Sequence, residues 1–137
     1  MENEVEVEGK VYKIQSMNVF TQFHVARRLA ALAPAILMYL QTPLEDRNNL
    51  VLFYSMTDAF ATMPEHDVNY ILTNCLNTVL RKQESGWAKI QTESGLMFDD
   101  ITMPNMLKLT WEVIMKDIAS FFPTAPLNLD AVKNQAN

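Results

Sequence analysis

Histidine is the side chain best suited to proton transfer or metal binding at neutral pH, and this chain has two. His24 follows the segment TQF, and His66 follows PE in a segment that also reads as a helix start. Neither has a second histidine at the spacing of one helical turn, so the pair is a weak signal for a metal site. For both, a structural role, which for His24 means hydrogen bonding, is favoured over a chemical one.

The remaining reactive side chains also have structural interpretations. Asp99 and Asp100 are adjacent, so they do not share one face of a helix or strand, and capping a helix is favoured over binding a metal. Cys75 is the only cysteine and lies among apolar residues at helical spacing, which favours a small core residue over a nucleophile. The three glycines cannot form a phosphate-binding loop. We therefore predict no catalytic, metal-binding or cofactor-binding residue and no enzyme.

Arg27 and Arg28 are the most conspicuous basic pair. The chain has a net charge of −5, and four of its sixteen acidic residues lie within the first eight positions. A nucleic-acid-binding domain needs a concentrated basic surface to displace counterions from phosphates, and none is present here. An ion pair or a contact with a protein partner is therefore favoured for both arginines.

Methionine is unusually frequent, with nine residues in the chain. Flexible, polarizable methionines can fill a core, or they can line a surface that accepts varied apolar helices. Both interpretations remain open, and the second makes Met38, Met103 and Met106 candidate partner-binding residues. Self-association would also bury surplus apolar surface, and the sequence leaves the oligomeric state open.

The elements that must position these residues follow from periodicity, caps and turns. Strict alternation of Glu and Val, followed by Gly9, predicts a first hairpin, and a second is predicted near Gly95. Helical spacing and proline positions predict the rest. The predicted elements are a hairpin over 2–14, helices over 19–33, 35–40, 50–62 and 64–82, a hairpin over 86–98, and a last helix capped by Asp99 or Thr102 and ended by Pro123 and Pro126. This order predicts a predominantly helical α+β fold with four to five helices, in which the two hairpins can form one small sheet.

Apolar residues recur at helical spacing in the first and last predicted helices. In the first they are Phe20, Phe23, Leu29 and Leu32, and in the last they form a stripe that starts at Met103. Residues 1–125 are expected to form one domain, with a flexible tail over 126–137. The longest apolar-rich stretch, 29–40, is shorter than the ~20 residues that a bilayer requires, so no membrane partner is predicted. The acidic start does not resemble a signal peptide, which predicts an intracellular protein.

Several segments together carry a resemblance to one family. They are VEGKVY (7–12), TQFHVARRLA (21–30), CL (75–76), LMFDDI (96–101) and FF (121–122). In this order the chain, from about residue 5 to 122, resembles the tail assembly chaperones of long-tailed bacteriophages and prophages. Of these segments QFHVARRLA is the most specific.

The resemblance implies a role in virion assembly. Such chaperones bind the tape measure protein in the bacterial cytoplasm, keep it soluble and extended, help to recruit tail tube proteins, and are absent from the finished particle. By position His24, Arg27 and Arg28 match the family pattern, which implies a structural or partner-contact role for them. The alternative is a small intracellular module or regulator that binds a different helical protein.

Overall fold

A computed structural model describes residues 3–46 and 48–118. It has an α+β fold, as the sequence predicts. The strands are β1 (Glu4–Val7), β2 (Lys10–Ile14), β3 (Val79–Gln83), β4 (Gly86–Lys89), β5 (Gln91–Thr92) and β6 (Gly95–Leu96). The helices are α1 (Val19–Leu29), α2 (Ala33–Gln41), α3 (Asn49–Phe60), α4 (Glu65–Leu76) and α5 (Met103–Val113), with short 3-10 turns at Ala30–Leu32 and Leu44–Asp46.

The four longer strands form one antiparallel sheet in the order β1-β2-β3-β4. Its first hairpin turns at Glu8 and Gly9, both with positive φ (50° and 81°), which is the backbone that a tight two-residue turn requires. Val7 is buried on the side of the sheet that faces the helices, while Glu4 and Glu6 are exposed. The predicted first hairpin is therefore confirmed.

The prediction of one helix over 64–82 is wrong beyond Leu76. The chain leaves the helix at Asn77, and Val79 begins a strand that pairs with β2 on one side and β4 on the other. Val79 and Leu80 continue the apolar spacing of α4, so periodicity alone cannot exclude a helix there. The pairing partners on both sides decide the outcome, since Ile14 lies opposite Val79 and Lys89 lies opposite Leu80.

The predicted second hairpin is divided as a consequence. Residues of β4 pair back to β3, and only β5 and β6 form the two-stranded hairpin around Gly95. The expected single small sheet does exist, but β3, which the sequence analysis assigned to a helix, is the strand that joins its two halves.

One cap and one proline fix helix ends as expected. Thr102 caps α5 by accepting a hydrogen bond from the amide of Asn105 at 3.3 Å. Pro34 lies in the first turn of α2, just after the 3-10 turn that separates α2 from α1. The predicted stop of the last helix at Pro123 and Pro126, and the predicted tail over 126–137, lie outside the described residues.

The buried side chains form two hydrophobic clusters that meet at α5. The large cluster lies between the inner face of the sheet, α1, α4 and α5, and includes Tyr12, Val25, Ile71 and Leu109. The small cluster joins α2 and α3 to α5; it consists of Tyr39, Leu52, Met56, Leu107 and Trp111. Within residues 3–46 and 48–118, no helix is both long enough and apolar enough to cross a membrane.

Candidate partner-binding surface

Helix α1 is apolar on two opposite faces. Its buried face carries Val25 and Leu29, whereas Val19, Phe20 and Phe23 are 74%, 76% and 60% exposed. The helical spacing of Phe20, Phe23 and Leu29 does not show which of these side chains are buried, and in the structure both phenylalanines are exposed. At 3.6 residues per turn, Phe23 lies nearly opposite Val25, so packing Val25 against α4 turns both phenylalanines outward.

The amino end of α1 is fixed by Asn18. Its side-chain oxygen accepts hydrogen bonds from the amides of Phe20 at 2.8 Å and Thr21 at 3.3 Å. This cap satisfies two amides of the first turn, so the exposed side chains of that turn stand on an ordered backbone.

His24 and Arg27 extend this exposed surface along the helix. Arg27 Nε donates to His24 Nδ1 at 3.0 Å, and the His24 ring meets the Phe23 ring edge to face, with centroids 5.4 Å apart. His24 thus serves as the acceptor in this hydrogen bond. We call Val19, Phe20, Phe23 and Arg27 together the α1 outer face.

Arg28 has a different role from its neighbour. Its side chain is 17% exposed, and its Nε donates to Asp67 Oδ1 of α4 at 3.1 Å. The guanidinium also donates to the His24 carbonyl at 2.9 Å and stacks on the Tyr70 ring at 3.9 Å. Arg28 therefore joins α1 to α4 through an ion pair, which is one of the two roles that the sequence favoured. A contact between Arg28 and a partner protein stays a prediction.

A second exposed apolar surface lies on α2, α3 and the turn between them. Met38 is 71% exposed, Leu44 76%, Leu50 62% and Tyr54 63%; we call these four residues the α2–α3 outer surface. Of these four residues, only Met38 is a partner-binding candidate by sequence. The missed signal is in α3, where Leu50 and Tyr54 are spaced by four residues and lie opposite the buried pair Leu52 and Met56.

The methionines divide between core and surface. Met17 and Met56 are buried, Met106 packs against both clusters, and Met97 and Met103 are 52% and 57% exposed. Met103 is therefore exposed, and a partner contact by it stays a prediction. The structure brings His24, Arg27 and Arg28 together on α1, whereas Met38 lies on α2, and Met103 and Met106 lie on α5.

The ionisable groups of the interior have structural partners. Arg81 donates to both carboxylate oxygens of Asp100, at 2.6 and 2.9 Å, and its guanidinium lies 4.3 Å from the Phe98 ring centre. The hydrogen bonds from Arg81 hold the pKa of Asp100 below its ordinary value. Asp100 thus pairs with a buried arginine instead of capping α5, so the capping interpretation is wrong for this residue.

Cys75 is a core residue, as the sequence predicts. It is fully buried, and burial, helped by the negative charge of Asp117, raises the pKa of its thiol to about 12. A thiol with such a pKa does not form the nucleophilic thiolate at neutral pH. Among the described residues, no group of three or more His, Cys, Asp or Glu side chains could hold a metal ion.

These features define a class of small α+β protein in which the surface that a partner can contact consists of exposed apolar side chains on helices. A family model described as "Phage tail assembly chaperone protein, TAC" matches residues 8–129, and the chain belongs to this family. No curated protein and no solved structure matches the chain.

Proposed function

We propose that this protein acts in the bacterial cytoplasm as a chaperone that binds the tape measure protein and keeps it soluble and extended. In this proposal it also helps to recruit tail tube subunits, acts by binding without catalysis, and is absent from the finished virion. The family assignment supports a role in tail assembly. The observation that carries the proposal is the α1 outer face, where two phenylalanines of an ordered helix are exposed.

Exposed aromatic side chains on a rigid helix suit binding to another helix. A phenylalanine contributes a large apolar area, and an ordered backbone lowers the entropy that is lost on binding. A long helical partner with apolar stripes would otherwise aggregate through those stripes. Covering the stripes with the α1 outer face removes this apolar area from water.

Several weak contacts along one long chain can give firm binding. Each chaperone presents a small surface, but many copies on one tape measure protein raise the effective concentration of neighbouring contacts. The net charge of −5 would make the covered complexes repel one another, which favours solubility.

Co-expression with the long helical protein encoded beside this one tests the proposal. We expect that protein to be insoluble alone and to elute as a soluble complex with the chaperone in size-exclusion chromatography. The variant F20S/F23S should remain folded by circular dichroism but should lose the complex, because both side chains are exposed in the folded chain. The matched control is L44S/Y54S, which removes two equally exposed apolar side chains from the α2–α3 outer surface.

Loss of the complex in F20S/F23S alone would assign binding to α1. Loss in the control alone would move the site to α2 and α3 and contradict our assignment. If the wild-type chaperone forms no complex and leaves the partner insoluble, the tape measure proposal is wrong. The alternative, a module or regulator that binds another helical protein through the same face, would then take its place.

A further inference from the structure

The second face of the four-stranded sheet carries side chains that are exposed or half-buried. The helices pack on the face that carries Val7, Tyr12, Ile14 and Val79. Because side chains alternate along a strand, the residues between them point to the other side. We call that side the open sheet face. Lys13 and Trp87 both lie on the open sheet face, where the Lys13 ammonium is 4.8 Å from the centre of the Trp87 ring.

Charges on the open sheet face are separated by strand. Edge strand β1 contributes Glu4 and Glu6, whereas β2, β3 and β4 contribute Lys13, Lys82 and Lys89. The register aligns one row across all four strands, in which Glu4 lies opposite Lys13, Lys13 opposite Leu80, and Leu80 opposite Lys89. Among the described residues, none of these five charged side chains forms an ion pair, so their charges are available to a partner.

Apolar side chains lie between the charged ones. Val11, Leu80 and Trp87 are half-buried and occupy β2, β3 and β4. A surface with apolar residues among complementary charges has the composition of a modest protein interface, in which apolar contacts give affinity and charges fix the orientation.

We propose that the open sheet face is the interface of a two-fold symmetric dimer of this chain. A two-fold axis parallel to the strands places β1 of one copy over β4 of the other, and β2 over β3. The row of one copy then lies over the same row of the other copy in the opposite order. Glu4 of each copy therefore faces Lys89 of its partner copy. An axis across the strands would instead place β1 over β1 and bring the glutamates together, so the charges select one arrangement.

The dimer is expected to be weak and sensitive to salt. Four strands at about 4.8 Å spacing give a face roughly 15 Å wide, which is at the small end of specific interfaces. Association should therefore be weak, and it should weaken further as salt screens the charges at the rim. The helical surfaces lie away from the open sheet face, so the α1 outer face of each copy stays available.

Sedimentation velocity of the full chain, from about 5 µM to about 500 µM, tests the proposal. We expect a concentration-dependent monomer–dimer equilibrium that weakens at least about tenfold in the charge reversals E4K/E6K and K82E/K89E. An equimolar mixture of the two variants should form the dimer again, because each then carries the charges that the other needs. Misfolded variants could not show this rescue.

The matched control is E45K/E93K, which reverses two exposed glutamates outside the strands of the four-stranded sheet. It should associate like the wild type. A wild-type chain that stays monomeric throughout the concentration range overturns the proposal. Dimers that persist in both charge reversals, or that fail to form in the mixture, place any association on another surface and also overturn it.

Discussion

The two hydrophobic clusters differ in how completely they exclude water. In the large cluster Val25, Ile71 and Val79 have no exposed surface, whereas every described member of the small cluster keeps between 3% and 9%. An open apolar pocket of about 20 Å³ lies where the two clusters meet, between Leu32 of the large cluster and Tyr39 and Trp111 of the small one. Local opening costs less where fewer apolar contacts must be broken. We therefore expect α2 and α3 to open more readily than α1, α4 and the sheet.

Helix α5 allows this comparison to be made within a single element. Leu109 points into the large cluster and is fully buried, while Leu107, two residues earlier, points into the small cluster and is 6% exposed. Residues two apart on a helix face different directions, so one helix serves both clusters. The same substitution at these two leucines therefore compares the two clusters, because the residue type and the helix are the same.

The largest expected effect is that of Leu109→Ala. Its cavity cannot collapse easily between the sheet and α4, so we expect the free energy of unfolding to fall by about 3–5 kcal/mol. Leu107→Ala should cost about 2–3 kcal/mol, because Leu107 is not completely buried and its truncation removes less buried apolar surface. Urea unfolding followed by circular dichroism measures both. Equal losses, or a larger loss in Leu107→Ala, would contradict the ranking of the clusters.

Acid should lower the free energy of unfolding, because it protonates Asp100 and removes the ion pair with Arg81. The pKa of Asp100 is lowered in the folded protein by Arg81, so the pair stabilises the fold at pH values above the ordinary carboxyl value of 3.8. That contribution is lost as the pH falls below this value and Asp100 becomes protonated. In D100N the contribution is absent at every pH, so wild type and variant should differ most near neutral pH and converge in acid.

The neighbouring carboxylate supplies the control for this experiment. Asp99 is exposed and forms no ion pair within the described part of the chain. D99N should therefore follow the wild-type unfolding curve between pH 7 and about pH 3. If D100N and D99N behave alike, the Arg81–Asp100 pair does not contribute measurably to stability.

The parts of the fold that could be predicted from sequence depend on local signals. The Glu–Val alternation before Gly9 specifies the first hairpin, and Thr102 with Pro104 specifies the start of α5. Strand β3 could not be predicted, because Val79 and Leu80 satisfy the helical spacing of α4 equally well. Only pairing with β2, more than sixty residues away in sequence, distinguishes the two outcomes.

The α1 outer face was partly predictable, because it too depends in part on local signals. The hydrogen bond between Arg27 and His24 joins residues three apart, which a helix brings together without help from the rest of the fold. The exposure of Phe20 and Phe23 could not be predicted, because an apolar side chain gives no sign of which helix face will be covered. The direction of α1 is set by α4, through the contact of Arg28 with Asp67 and Tyr70.

Smaller effects are expected at the two asparagine caps. Asn18 caps α1, and Asn48 caps α3 by accepting from the amide of Val51 at 2.9 Å. Each substitution by alanine should cost about 1 kcal/mol. Native-state hydrogen exchange should locate the loss differently, with N48A accelerating exchange mainly in α3 and N18A lowering the global stability. A global loss in N48A would show that α3 unfolds together with the large cluster.

The smallest effect on stability is expected at Leu44. This side chain is 76% exposed, so L44A should change the free energy of unfolding by less than about 0.5 kcal/mol. Leu52 is buried in the same α2–α3 region, so L52A should lower the free energy of unfolding by about 2–3 kcal/mol. Thermal unfolding of the two variants separates side chains that hold α2 and α3 in place from those that only face outward. A marked loss in L44A would mean that Leu44 packs against the fold in solution, and it would remove Leu44 from the α2–α3 outer surface.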